Sequence, residues 1–248
     1  MKQYVSTIIM LSMIIAPALA YRPFGTEDAG VAGKGVIQFE GSWDYLRWND
    51  GMIEKNYLFV PIYGVTDQLE LSAEIPYMYH YNIGGTSPSG VGDINLVAKY
   101  LLVEEGVKTP AFALKGVGKL DNGDFSAGLG SGDKDWSIFA VASKTFGRAV
   151  LHSHVGYTWV GKSKDANLRD IPLFALGLDY GLTEPLHLIA EINGNRHPDS
   201  TQTEYPRSAL LGFTYKISEK LIFDLAGKWG LSNASPAWDA AFGFSATL

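Results

Sequence analysis

A His–Ser–His run at residues 152–154 is the stretch of the sequence whose residue types most suggest chemistry. If "LHSHVGYTW" is a β-strand, His152 and His154 share one face and Ser153 points to the other, because successive side chains alternate. We therefore expect no Ser–His nucleophile pair on one surface. Two imidazoles could bind a metal, but a complete zinc site needs further ligands, and the sequence indicates none. We expect both histidines to make hydrogen bonds inside the protein.

Glycine- and aspartate-rich runs are a second place to look for a ligand site. The runs "DNGD" and "GLGSGDKD" match neither a phosphate-binding loop nor an EF-hand. Because no complete catalytic, metal or cofactor motif is present, we expect the protein to bind no cofactor and to be no enzyme.

Charged side chains recur at alternate positions of otherwise apolar segments, and their signs are segregated. The acidic members are Glu40, Asp44, Glu70, Glu74, Asp93 and Asp239, and the basic members are Lys99, Lys115, Lys119 and Lys144. Later in the chain, Lys216 and Lys228 add cations beside Asp224. If these side chains face the lumen of a closed sheet, they could set ion selectivity. The alternative, which we favour, is that they pair and brace the wall, because an unpartnered buried charge is costly.

Strands are the elements that would place these residues on one face. In "LELSAEIPYMYHY", apolar side chains occupy one alternate set, and Glu70, Ser72 and Glu74 belong to the other. This period of two is a strand signal. We count twelve such segments, of about nine to eleven residues, the length of a tilted strand that crosses a bilayer. The phase is weakest in "NYLFVPIY", "WSIFAVASKTF" and "PLFALGLDY". The sequence predicts an all-β fold, a transmembrane antiparallel up-and-down β-barrel of about 12 strands.

The connections and the aromatic residues indicate the same fold. Mostly short connections such as "GVTDQ" and "GLTEP" alternate with generally longer ones such as "DNGDFSAGLGSGDKD" and "NRHPDSTQTEY". Trp43 and Trp159 lie near the long connections, and Tyr63 and Tyr180 near the short ones. Short periplasmic turns, longer outer loops and two aromatic girdles are typical of outer-membrane barrels.

The composition and the N-terminal residues limit the classes of protein to which the chain can belong. The formal net charge of −6 offers no basic surface, so we expect no nucleic-acid partner. The chain has no cysteine, which excludes disulfides and thiolate chemistry. Residues 1–20 are predicted to be a cleaved signal peptide, because Lys2 precedes an apolar run with Ala18 and Ala20 before the cleavage site. That run is shorter than the roughly 20 residues of a spanning helix.

Residues 21–33, "YRPFGTEDAGVAG", have no strand pattern and precede the barrel, which we assign to residues 34–248. One hypothesis is that this segment folds into the lumen as a plug, with Arg22, Glu27 or Asp28 paired to the wall. The alternative is a loose periplasmic tail.

Several stretches resemble a known family. They are "YRPFGTEDAGVAGKGVIQFEGSWDY", "PIYGVTDQLELSAEIPY", "GVGDINLVAKYLLVEE" and "SGDKDWSIFAVASKTFG". They are similar to the family described as putative MetA-pathway of phenol degradation, and the resemblance covers most of the mature chain. It implies an outer-membrane barrel with a role in the passage of small hydrophobic or aromatic compounds. It supplies no agreed binding residues.

The functional expectation follows from the predicted lumen. Apolar residues such as Leu58, Val60 and Ile62 fall among the inward set, and a mixed lumen fits a narrow conduit for a small apolar solute. The candidate lumen and solute-path residues are Glu40, Asp44, Glu70, Glu74, Lys99, Lys115, Lys119, His152, His154, Glu191, Asp224 and Lys228. We expect passive passage of small hydrophobic or aromatic compounds. The alternatives are a small porin for polar solutes or ions, and an outer-membrane enzyme or structural barrel.

The expected location is the outer membrane. The expected partners are outer-membrane lipid, small hydrophobic or aromatic solutes and the barrel-assembly machinery.

Overall fold

All regular elements in the described part of the chain are β-strands. The computed structural model describes residues 22–81, 87–162 and 167–248, so the predicted signal peptide, residues 1–20, lies outside the described residues. The strands are β1 Ile37–Arg47, β2 Ile53–Gly64, β3 Leu69–Tyr81, β4 Ser89–Val91, β5 Asn95–Val103, β6 Ala111–Lys119, β7 Asp135–Phe146, β8 Ala149–Trp159, β9 Ile171–Gly181, β10 Leu186–Asn195, β11 Arg207–Ser218, β12 Leu221–Gly230 and β13 Trp238–Thr247. Within the ranges described, no helix is long and apolar enough to span a membrane.

The sheet closes on itself because the first and last long strands pair. β1 is antiparallel to β13 on one side and to β2 on the other, so that Phe39 lies between Ala246 and Pro61. The short β4 pairs with the end of β3, and β5 pairs with the beginning of β3. β4 and β5 thus share one position, and the thirteen strands form twelve positions. The predicted twelve-stranded antiparallel barrel is confirmed.

Alternation along the strands separates an apolar outside from a mixed inside. Leu225 and Val155 on the outside are 63% and 62% exposed, whereas Val141 and Ile189 on the inside are each 1% exposed. A continuous exposed apolar band suits lipid rather than water. The three segments of weakest predicted phase form most of β2, β7 and β9, and all three alternate in this way.

The two ends of the barrel differ in the length of their connections. At one end, which we call the short-turn end, β7 joins β8 through residues 147–148 and β11 joins β12 through residues 219–220. The opposite, long-loop end carries residues 120–134 and 196–206. The predicted alternation of short and long connections is therefore present.

Aromatic side chains mark both ends on the outer surface. Near the long-loop end, Trp136 is 62% exposed, and the Tyr45 and Trp238 rings stack with centroids 5.3 Å apart. Near the short-turn end, Phe146 and Tyr180 are exposed. Two such girdles are the arrangement that membrane–water boundaries favour.

Candidate functional site in the barrel interior

The twelve predicted lumen residues all belong to the inward-facing sets of their strands. The buried ones are Glu40, Glu70, Lys99, Lys115, His152, His154, Glu191 and Asp224. The partly buried ones are Asp44, Glu74, Lys119 and Lys228. The face of a strand residue is fixed by its parity, so these side chains share the inner face of the wall.

A segment without regular structure contacts these inward side chains. We call residues 22–33 the inner segment. Ala29 is fully buried against Ala113 and Val141 of β6 and β7, and Ala32 is buried against Val60 and Ile62 of β2. The inner segment thus packs on two separate parts of the wall.

Glycines in the wall make room for the inner segment. A side chain at Gly177 on β9 would approach the Phe24 ring to 2.8 Å, and one at Gly64 on β2 would overlap the carbonyl oxygen of Gly33. At Gly64 the contact is with backbone, so that position requires glycine, whereas a side chain at Gly177 would have to displace the Phe24 ring.

Lysines on β5 and β6 are paired with carboxylates of β3 and of the inner segment. Lys99 Nζ lies 3.3 Å from Glu70 Oε1, its partner directly across the strand pair. Lys115 Nζ lies 2.7 Å from Glu27 Oε1 and 3.1 Å from Glu74 Oε1. The acidic and basic sectors therefore neutralise each other at their boundary, as the bracing interpretation expects.

Two histidines on β8 accept or share hydrogen bonds beside the inner segment. The Glu27 backbone N–H donates to His154 Nδ1 at 3.0 Å, which requires an unprotonated Nδ1. The Ala29 N–H donates to Ser143 Oγ at 2.9 Å, and Ser143 Oγ lies 2.9 Å from His152 Nδ1. Both histidines therefore take part in hydrogen bonds inside the barrel.

Glu191 on β10 is the acceptor for the middle of the inner segment. The N–H and the hydroxyl of Thr26 both donate to Glu191 Oε2, at 2.6 and 2.8 Å. Asn193 Nδ2 donates to Oε1 of the same carboxylate at 2.5 Å. Hydrogen bonds to a charged acceptor are stronger than neutral ones, so this cluster is a firm anchor.

Arg22 and Phe24 anchor the start of the inner segment to β1 and β8–β12. Arg22 Nη2 lies 3.9 Å from Asp44 Oδ1, and Arg22 Nε lies 3.7 Å from Asp224 Oδ2. Phe24 packs against the buried cluster of Ile189, Leu210 and Ala226, and its ring lies edge-on to His152 with centroids 5.6 Å apart. An ionic and an apolar contact thus act on neighbouring residues.

Lys119 on β6 lies near the long-loop end of the barrel and is paired with two carboxylates. At the long-loop end, Lys119 Nζ lies 2.7 Å from Asp135 Oδ2 and 3.5 Å from Asp93 Oδ2. Asp93 precedes β5 and accepts hydrogen bonds from the Gly123 and Ser131 N–H groups of the long loop.

The prediction that Lys144 belongs to the basic lumen sector is wrong. Lys144 shares its parity on β7 with the exposed Trp136 and Ile138. Its side chain therefore projects from the outer face of the wall. Its Nζ lies 2.9 Å from Glu105 Oε1 and donates to the Gly106 carbonyl oxygen in the turn. A long Lys side chain near a strand end can reach the aqueous boundary in this way.

Cavities remain inside the described part of the barrel. One of about 130 Å³ lies between the inner segment and β1–β6, and its lining includes Glu40, Val60 and Lys115. A second of about 210 Å³ lies toward the long-loop end, and its lining includes Lys228, Asp239 and Arg207. In the part of the chain that the structure describes, no group of three or more His, Cys, Asp or Glu side chains could hold a metal ion.

Phe24, Thr26 and Ser143 are interior residues that the sequence did not single out. Ser143 carried a usable signal, because it shares the inward parity of Val141 on β7. Phe24 and Thr26 carried none, because the inner segment has no periodicity to read.

Solved structures of other proteins share this architecture. The COG4313 outer membrane channel from Pseudomonas putida F1 matches with a TM-score of 0.73 and 13% sequence identity, covering 91% of this chain and 100% of that chain. The NanC porin matches with a TM-score of 0.59 and 8% identity, covering 86% of this chain and 100% of that chain. Both are channels or porins rather than enzymes by name, and identities this low show the fold alone. No curated protein matches the sequence.

A family profile extends the comparison beyond the fold. The profile described as "Putative MetA-pathway of phenol degradation" matches residues 20–248, which include every strand and the whole inner segment. With a match of that extent over a twelve-stranded barrel, the chain belongs to the family "Putative MetA-pathway of phenol degradation".

Proposed function

We propose that this protein is an outer-membrane barrel through which small hydrophobic or aromatic compounds pass without energy coupling. The observation that carries the proposal is the mixed interior. Inward positions hold aliphatic side chains such as Val60, Val97 and Ile189. Most charged groups between them form ion pairs with one another. Sites for small apolar molecules combine apolar walls with few polar groups in this way.

The inner segment is proposed to act as the plug of this barrel. Its contacts with Glu191, His154 and Lys115 tie it to strands around much of the circumference. A solute could pass only if the segment moved or left a path beside it. A loose periplasmic tail would not make these contacts.

Location and biogenesis follow from the same proposal. The outward band of apolar side chains, Leu225 and Val155 among them, would contact outer-membrane lipid. Residues 1–20 would be cleaved on export, and the barrel-assembly machinery would insert the mature chain. No enzymatic role is proposed.

Uptake by whole cells tests the transport proposal. Cells lacking the protein should take up a labelled monocyclic aromatic compound more slowly than cells that carry it, and expression of the wild-type protein should restore the rate. Uptake of a small sugar through other porins is the control and should not change. Equal aromatic uptake with and without the protein would contradict the proposal. Large, stable ion conductance by the full-length protein would favour the porin alternative instead.

A further inference from the structure

We propose that the cavity of about 210 Å³ at the long-loop end is a binding site for one small zwitterion of the amino-acid type, which carries one ammonium and one carboxylate group. The inference goes beyond the proposed function, because it concerns a second class of solute and does not depend on the passage of apolar compounds. It rests on an unpaired couple of opposite charges in the cavity wall, on the pairing of the neighbouring polar side chains with one another, and on the size and lining of the cavity.

Lys228 of β12 and Asp239 of β13, which we call the split pair, face this cavity without forming an ion pair. They lie directly across the strand pair from each other, and both line the cavity. Among the described residues, no hydrogen bond or ion pair forms at Lys228 Nζ, and Asp239 Oδ1 is buried without a hydrogen-bond partner. Opposed Cβ atoms are only about 4.5–5.5 Å apart, so the backbone would permit a direct contact. One cation and one carboxylate oxygen are therefore left for a ligand.

Neighbouring polar side chains of the lining already have partners within the protein. Ser208 Oγ donates to Asn193 Oδ1 at 2.8 Å, and Ser235 Oγ donates to the Arg207 carbonyl oxygen at 2.8 Å. A solute that bonded to these hydroxyl groups would have to replace an existing hydrogen bond, whereas one that bonded to the split pair would not. Recognition of a solute therefore falls to the split pair.

The other charged groups of this region are turned away or engaged elsewhere. Arg207 touches the cavity, but it has the outward parity on β11, and its Cγ lies over Gly194 on the outer side of the wall. Arg22, whose field also reaches Asp239, lies between Asp44 and Asp224 at 3.9 and 3.7 Å. Together with the split pair, these inward groups are three carboxylates and two cations. The balance favours a ligand that brings a cationic group and does not favour a lone anion.

The size and the apolar part of the lining suit an amino acid with a small side chain. The volume of about 210 Å³ corresponds to roughly seven molecules of liquid water at about 30 Å³ each. The apolar part of the lining includes Leu46, Trp48, Pro206, Ala234 and Pro236. A bound valine would direct its ammonium group to Asp239, its carboxylate to Lys228 and its isopropyl group to this apolar surface. Both polar contacts would be charge-assisted.

Saturation-transfer difference NMR tests the site in the mature protein, reconstituted in phosphatidylcholine nanodiscs whose head groups have no N–H donor. The probes are L-valine, 3-methylbutanoate, which lacks the ammonium group, and isobutylamine, which lacks the carboxylate. We expect L-valine to bind at least about tenfold more tightly than either analogue, because each analogue leaves one member of the split pair without a partner. Empty nanodiscs are the control for binding to lipid. No binding of L-valine, or equal binding of the three probes, would overturn the proposal.

Two substitutions that conserve shape assign the binding to the split pair. Lys228→Met removes the charge and keeps an unbranched side chain, so the affinity for L-valine should fall to about that of isobutylamine for the wild type. Asp239→Asn removes the negative charge, and the affinity should fall to about that of 3-methylbutanoate. Lys216→Met is the matched control, because this lysine is paired with Glu219 at the short-turn end, and it should bind L-valine like the wild type. Wild-type binding of L-valine by Lys228→Met or by Asp239→Asn would refute the site.

An exchange of the two charges separates recognition of the ligand from a general effect on folding. Because the two positions face each other across the strand pair, the double variant Lys228→Asp/Asp239→Lys keeps one cation and one carboxylate in the cavity wall. It should again prefer L-valine over both analogues, and it serves as the test if either single variant does not fold. A folded double variant that binds the three probes equally would show that the charge pair does not select the ligand.

Discussion

At the scale of single residues, His154 is the interior group whose protonation state matters most for the inner segment. Its Nδ1 accepts the Glu27 N–H directly, and an imidazolium has only donors. His152 differs, because Ser143 Oγ lies between its Nδ1 and the Ala29 N–H. A hydroxyl oxygen has two lone pairs, so Ser143 could accept from both a protonated His152 and Ala29. The charged groups whose electrostatic field acts on His154 include Glu27, Glu191 and Lys115, and those acting on His152 include Asp179 and Lys99.

We predict that acidification loosens the inner segment through His154. The contact with Glu27 is present while the imidazole is neutral and is lost as the pH falls through the range in which it protonates. Losing one buried acceptor costs about 1–3 kcal/mol, so the open fraction in single-channel recordings taken from about pH 8 downward should rise about tenfold once the imidazole is protonated.

Asparagine variants of the two histidines provide the matched comparison. The amide oxygen of His154→Asn takes the place of Nδ1 and accepts at every pH, so this variant should lose the pH response. His152→Asn should keep it. A pH response that persists in His154→Asn, or disappears only in His152→Asn, would assign the effect to another group.

At the scale of elements, the inner segment is held by side chains distant in sequence rather than by backbone pairing. Thr26 and its acceptor Glu191 are 165 positions apart. The wall leaves room for the Phe24 ring at Gly177, which has no side chain. A side chain at that position must displace the ring.

We predict that Gly177→Leu expels the start of the inner segment while β9 stays in the sheet. Leucine has a better strand propensity than glycine, whereas displacing Phe24 forfeits about 1.5–3 kcal/mol of apolar burial. Channel openings should become more frequent, and residues 22–33 should become accessible to protease. Gly116→Leu is the control, because a Cβ at Gly116 meets no atom within 4 Å. Similar behaviour of the two variants would show that the effect does not come from contact with Phe24.

The strands could be predicted from the sequence and the inner contacts could not, for physical reasons. Parity along a strand determines which face a residue occupies, so Glu70, Lys99 and His152 could be assigned to the lumen in advance. Lys144 is the exception, because its positive charge suggests the lumen whereas its parity with Trp136 assigns it to the outer face. The partners of the inner segment depend on how an irregular chain crosses a closed space, and no local pattern encodes that path.

At the scale of the whole molecule, closure of the barrel does not depend on the inner segment. Strand pairing is continuous around the sheet, from β1 through β13 and back to β1. Removing the segment would expose Glu191, Asp224 and Lys115 to the lumen, where water could hydrate them. The barrel should therefore persist with an enlarged aqueous path.

We predict that deleting residues 22–32 converts the protein into an open, cation-selective pore. The inward carboxylates that would remain include Glu40, Asp44, Glu70, Glu74, Asp135, Asp179, Glu191, Asp224 and Asp239. The inward lysines that would remain are Lys99, Lys115, Lys119, Lys216 and Lys228. An excess of lumen carboxylates attracts cations. In a planar bilayer with a KCl gradient, the deletion variant should show larger current steps than the full-length protein and a reversal potential of the sign set by K⁺. Unchanged conductance and stability would mean that the segment does not close the lumen, and anion selectivity would mean that the lysines dominate the open path.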